Sequence, residues 1–298
     1  MDFEKYLKES VKATDKEIER ILNKQLNEAG EIDKKLVPLL FAFIKSCRGG
    51  KRIRGALVVL GYQLGMSFWG GAEATTPESR SWMRSPRRPY QDDIYKVAAA
   101  YEILHSAVLI HDDIIDQSPL RRDQPALHQA LGGNHYALSQ AISLADYGFF
   151  LSFKLISESD FPTDYKISAL KLFSQIMMNT AWGELLDLED TDPLIVMKFK
   201  TACYTIAGPL QLGAILAGAN EEKIRIFGQF GEKLGIAYQI RDDILDNETD
   251  NIEKLESAGK AAEKYTKQAL NLLSDITKDE NMSKLLEQMG EYLVKRIK

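Results

Sequence analysis

Two aspartate triplets in this 298-residue chain share the spacing D-D-x-x-D: Asp112, Asp113 and Asp116, then Asp242, Asp243 and Asp246. On a helix, residues i and i+4 lie on one face, so Asp112 stands beside Asp116 and Asp242 beside Asp246. An acidic triplet is most often a solvated helix end. Here each triplet instead extends an apolar run, in "LIHDDIID" (109 to 116) and "YQIRDDILD" (238 to 246). Like charges about 4 Å apart repel by roughly 4 kcal/mol at an effective dielectric near 20, so clusters of this kind call for cations. Neither triplet contains His or Cys, and oxygen-only donors select a hard ion such as Mg²⁺. Magnesium commonly binds one or two carboxylates together with substrate phosphates.

Basic groups supply the complement. "RGGKRIRG" (48 to 55) sets Arg48, Lys51, Arg52 and Arg54 around a glycine pair. Glycine lets backbone N–H groups approach an anion, and guanidinium grips phosphate oxygens in pairs. Arg121 and Arg122 lie just past Pro119, which is expected to end the first Asp helix and swing them back over its mouth. "KFKTA" (198 to 202) places Lys200 beside Thr201. Each basic group taken alone is unremarkable. Together they describe one metal-bridged anion site and a second, metal-free one.

The elements that must hold these groups read as helices. Ile103, Ala107, Ile110 and Ile114 repeat at helical spacing, as do Phe227, Phe230, Leu234 and Ala237. The long apolar stretch 135 to 156 is expected to be buried on most sides, and strand signals are almost absent. Residues 65 to 93 break the pattern with clustered Gly, Pro and Ser, and read as a surface loop carrying Trp69, Trp82 and four arginines. A net charge of -5 leaves no electrostatic footprint for nucleic acid or an anionic membrane. The two cysteines, Cys47 and Cys203, are too few for a disulfide framework or a zinc site. No apolar run is long enough to span a membrane, and the charged N-terminus lacks a signal-peptide core, so a cytoplasmic location is expected.

Read in order, "GGKRIR" (49 to 54), "LIHDDIID…RRD" (109 to 123), "KFKTA" and "YQIRDDILD" resemble the motifs of the trans-isoprenyl diphosphate synthases of the polyprenyl synthetase family. Weaker echoes are "LADYG" (144 to 148) and "GELLDL" (183 to 188). The resemblance implies one all-α isoprenoid-synthase domain over 1 to 298, a large helical bundle with a central active-site cavity, usually a homodimer. It implies condensation of isopentenyl diphosphate with allylic diphosphates, with Mg²⁺ as cofactor, three ions when substrate is bound. Asp112, Asp116 and Asp242 then become the direct metal ligands, supported by Asp113, Asp243 and Asp246. Arg121, Lys200, Thr201 and Gln239 would hold the allylic diphosphate, and Lys51, Arg54, His105 and Arg122 isopentenyl diphosphate. A lone His on an apolar helix is more often a core residue; its place seven residues before Asp112 favours the substrate role.

Two departures stand out. The lid that the resemblance implies after Asp246 is shortened or missing, with Lys254 or Lys260 the candidates for its lysine. Glu184 stands where Gln is common. Rival readings are a class I terpene cyclase, against which "GGKRIR", His105 and Arg122 argue, and a non-catalytic partner subunit, against which the six aspartates argue. In the family the residues before the first Asp motif line the product tunnel. Ala107 and Val108 are not aromatic there, Leu104 and Ala100 lie deeper on the stripe and Tyr101 on a neighbouring one, so a product of about twenty carbons or more is expected, each helical turn adding about 5.4 Å.

Overall fold

The computed structural model describes residues 2–67, 90–189, 191–246 and 252–294. They are almost wholly helical: α1 (Phe3–Ile32), α2 (Leu36–Ser46), α3 (Ile53–Ser67), α4 (Gln91–Ile115), a two-strand hairpin of β1 (Leu120–Arg121) and β2 (Gln124–Pro125), α5 (Leu127–Ala130), α6 (His135–Ser157), α7 (Thr163–Leu188), α8 (Pro193–Val196), a π-helix (Met197–Ala207), α9 (Gly208–Leu216), α10 (Glu221–Asp246), α11 (Ile252–Leu270), α12 (Leu273–Ile276) and α13 (Glu280–Val294). The helical periodicities hold. Ile103, Ala107 and Ile110 are buried on α4, as are Phe227, Phe230, Leu234 and Ala237 on α10.

The chain divides into two compact units, one of residues 10–56 and 95–160, the other of 1–9, 57–94 and 161–298. In the first, α6 is built on small residues. Ala137, Ala141, Ala145 and Gly148 form its buried stripe. A Cβ on Gly148 would lie 2.8 Å from the Phe43 ring of α2 and 3.0 Å from the Ala107 methyl of α4. Asn134 starts α6 by accepting the Ala137 N–H at 2.9 Å, filling one of the orphan donors of a helix start. The expectation that α6 is buried on most sides fails: Tyr136 and Phe150 are 72% and 75% exposed, so the helix has one packed face.

In the second unit, glycines bring backbones together. A Cβ on Gly61 would meet the Leu210 carbonyl oxygen at 2.1 Å, and one on Gly213 the Val58 oxygen at 2.0 Å, so α3 and α9 touch along their main chains. The edges of the sequence-derived loop also shift. Residues 65–67 belong to α3 and 91–93 to α4, whose first turn is closed by the Ile94 N–H donating to the Tyr90 carbonyl at 2.9 Å. Residues 68–89, with Trp69 and Trp82, lie outside the described residues.

Candidate active site

The first acidic motif sits at the end of α4, and its last member just beyond. The Asp116 N–H still donates to the Asp112 carbonyl at 2.9 Å, which keeps the two on one helical face. The helix stops before Pro119 acts. Gln117 adopts φ 54°, its N–H reaches the Ile114 carbonyl, and Ser118 N–H reaches that of Asp113, the Schellman arrangement. Pro119 follows and leads into the hairpin.

Arg122 and Asp123 form the two-residue turn of that hairpin, both left-handed at φ 53° and 60°. Such a turn matches the twist of the strands it joins, although non-glycine residues hold it at a cost of about 1 kcal/mol or more each. The hairpin turns Arg121 onto the acidic motif. Its Nε donates to Asp113 Oδ1 at 2.7 Å and an Nη to Asp112 Oδ2 at 2.9 Å. Burial works against this charge, but the Asp113 and Asp112 carboxylates outweigh it and raise the guanidinium pKa. Arg122 turns the other way. It donates to the Arg48 carbonyl at 3.0 Å and lies over Gly50, whose absent side chain makes the room.

The glycine loop is itself shaped by positive φ at Gly49 (76°), Gly50 (93°) and Arg52 (48°). Of its basic groups, Lys51 is exposed. Arg52 is a strut: its side chain is buried, donating to Asp15 at 2.7 Å and the Cys47 carbonyl at 2.7 Å, with buried Glu102 at 3.7 Å. Glu102 also accepts the Gly55 N–H at 2.7 Å. Sequence reasoning missed Glu102 and Asp15. The signal for Glu102 was a lone carboxylate within the apolar run "VAAAYEILHSAVL".

Arg54 Nη1 and His105 Nε2 are 3.1 Å apart. Burial, then the positive charges of Arg54, Arg122, Arg52 and Arg121, push the His105 pKa well below its usual value. A neutral ring with Nε2 accepting from Arg54 carries its proton on Nδ1. Arg122 is depressed likewise, by burial and by Arg52 and Arg121. His105, Arg54, Arg121 and Arg122 thus gather, with Lys51 on the adjoining loop.

The second unit holds the other expected groups. Lys200 and Thr201 lie in the π-helix, against which α7 and α10 close on glycines. A Cβ on Gly183 would meet Lys200 N at 2.2 Å, and ones on Gly231 and Gly235 would meet Ala207 and Ala202 Cα at 2.3 and 2.5 Å. Lys200 Nζ contacts Glu184 at 2.9 Å and Asp187 at 2.7 Å, both on α7. Burial lowers its pKa, yet the Asp187 and Glu184 hydrogen bonds prevail and raise it. Asp187 was not foreseen. On α10, Gln239 donates to Asp243 at 2.7 Å, with Asp242 beside it and partly buried. Asp246 ends α10. The side chains of Asp246 and Lys254 lie outside the described residues. Lys260 is 79% exposed and 4.0 Å from Glu256.

The fold is that of a known class of all-α protein. The chain matches the crystal structure of a geranylgeranyl pyrophosphate synthase from Corynebacterium glutamicum with a TM-score of 0.83 over 100% of both chains, at 19% identity. The Polyprenyl synthetase family model matches residues 38–292, and the chain belongs to that family. It is 34% identical over 161 residues to a geranylgeranyl diphosphate synthase of Sulfolobus acidocaldarius, covering 51% of this chain and 47% of that one. It is 27% identical over 293 residues to a short chain isoprenyl diphosphate synthase of Methanocaldococcus jannaschii, covering 94% and 79%. For the first of these relatives the matched stretch spans about half the relative's length. No helix among the described residues is long and apolar enough to cross a membrane.

Proposed function

We propose that the protein is a prenyltransferase that condenses isopentenyl diphosphate with allylic diphosphates into trans-prenyl diphosphates. The observation that carries this reading is the gathering of arginines at neutral His105: Arg54 Nη1 lies 3.1 Å from its Nε2, and burial with the nearby guanidiniums holds down the pKa of both His105 and Arg122. Guanidiniums held this close call for a polyanion, and a diphosphate fits. Lys51, Arg54, His105 and Arg122 hold isopentenyl diphosphate. Arg121, Lys200, Thr201 and Gln239 hold the allylic diphosphate.

The acidic motifs suit magnesium. Their donors are carboxylate oxygens, and among the described residues no three His, Cys, Asp or Glu side chains converge into a closed cage. An ion that keeps waters and takes phosphate oxygens needs none. Asp112, Asp116 and Asp242 would bind it, with Asp113, Asp243 and Asp246 in support. When bound, it neutralises charge on the departing diphosphate. The chain's own part is to release Asp112 from Arg121, present that guanidinium to phosphate, and keep both substrates aligned away from water.

Product length follows the stripe below Asp112. Tyr101, Leu104 and Ala107 are fully buried, and Val108 is partly so. Ala107 packs against Gly148 and Phe43, so a Phe placed there strains the helix packing as well as any tunnel; Val108 is the cleaner position to enlarge. A product of about twenty carbons or more is consistent with Ala107 and Val108, neither of them aromatic, next above Leu104 and Tyr101. The exposed apolar stripe Met178, Trp182 and Leu185 of α7 supports a homodimer, which sedimentation would reveal. The direct test is incubation with Mg²⁺, labelled isopentenyl diphosphate and several allylic primers, then chromatography. Linear prenyl diphosphates are expected. Cyclic hydrocarbons, or no product from any primer, would sink the reading.

A further inference from the structure

Lys200 is the cation expected to meet the allylic diphosphate, and it already has two anions. Glu184 Oε2 lies 2.9 Å and Asp187 Oδ2 2.7 Å from its Nζ, both reaching down from α7. One carboxylate suffices to fix an ammonium; two make the cluster net negative. The other π-helix lysine offers no relief, since Lys198 pairs with Glu232 at 3.1 Å. Glu184 is the less exposed of the two acids, at 20% against 49% for Asp187. Its charge is therefore the less screened by water.

We propose that Glu184 is an affinity-setting residue: with Asp187 it occupies Lys200 as an internal stand-in for diphosphate, and an incoming diphosphate must compete with it. This rests on the reading of Lys200 as a diphosphate contact. The close approach of Gly183 to the Lys200 backbone fixes α7 against the π-helix, so the acids cannot simply drift away. Diphosphate binding then exchanges one anion for another at the same ammonium. The cost of parting the ammonium from the Glu184 carboxylate is subtracted from diphosphate binding and weakens the complex.

The test is calorimetric titration of the full chain with inorganic pyrophosphate at fixed, saturating Mg²⁺. Glu184→Gln keeps the size and an oxygen acceptor for Nζ but removes the charge. It is expected to lower the dissociation constant by roughly threefold to tenfold, the size of one partly screened charge interaction. Asp187→Asn should give a smaller gain. In a Lys200→Met background the Glu184→Gln gain should vanish. Unchanged or weaker pyrophosphate binding in Glu184→Gln overturns the proposal, as does a gain that survives Lys200→Met. Prenyl transfer is assayed separately: an enzyme that makes no product from any primer defeats the proposed function, while the titration still decides the role of Glu184.

Discussion

The two aspartate triplets have one spacing and different surroundings. At the first, an arginine from the following hairpin grips Asp112 and Asp113, and the Asp113 side chain is only 4% exposed. At the second, within a helix that runs on to Asp246, Asp243 takes a hydrogen bond from the neutral amide of Gln239. The same letters thus stand for a carboxylate pair gripped by a guanidinium and for a triplet in which a neutral amide donates to Asp243. A cation arriving at the first must displace or share Arg121. Under the proposed function, that would couple metal binding to the freeing of a guanidinium for phosphate.

The largest expected effect would test whether the triplets are equals in catalysis. Asp112→Ala and Asp242→Ala should each lower turnover by about a hundredfold or more, with helix content unchanged by circular dichroism. Near-normal turnover of either at saturating Mg²⁺ would show that its triplet has no metal role. Next comes stability in metal-free protein. Asp113→Ala strips Arg121 of a buried partner and should cost about 1–3 kcal/mol in urea unfolding, whereas Asp243→Ala should cost about 1 kcal/mol. Equal losses would erase the distinction between charge and amide.

Smaller effects are expected among the cations near the first triplet. Arg122→Ala should raise KM for isopentenyl diphosphate about tenfold with little change in kcat, as loss of uniform binding does. A rise confined to the allylic primer would merge the two anion sites into one. The smallest effect concerns His105, kept neutral in the folded protein. Its unfolded form gains a proton below about pH 6.5, so the unfolded state binds more protons there. Stability must then fall as pH drops from about 6.5 toward the lower folded value, by at most about 1.4 kcal/mol per pH unit. His105→Gln should flatten that slope; an unchanged pH profile would mean that His105 is freely protonated.

The helices were legible in the sequence because their apolar spacing repeats over many residues, as at Ile103, Ala107 and Ile110. The hairpin was not. Two strands of two residues carry no periodicity, and its turn uses Arg122 and Asp123 where glycine or asparagine would have announced it. The π-helix was equally silent: the glycines of α7 and α10 that pack against its main chain are distant from it in sequence. Of the site, the aspartates and basic groups were visible as types and spacings. Their partners were not: Glu102 for Arg52, and Asp187 for Lys200, are choices made by packing.

Adjacent Arg121 and Arg122 have separate destinations because Arg121 ends a strand while Arg122 begins the left-handed turn, Arg121 reaching Asp113 and Arg122 the Arg48 carbonyl. Losing or gaining one residue between Ser118 and Arg121 would therefore shift which residues fall in the strand and in the turn, and move both arginines off their partners. The segment tolerates changes of side chain far better than changes of length. Any descendant of this sequence is expected to vary here by substitution and to keep its residue count.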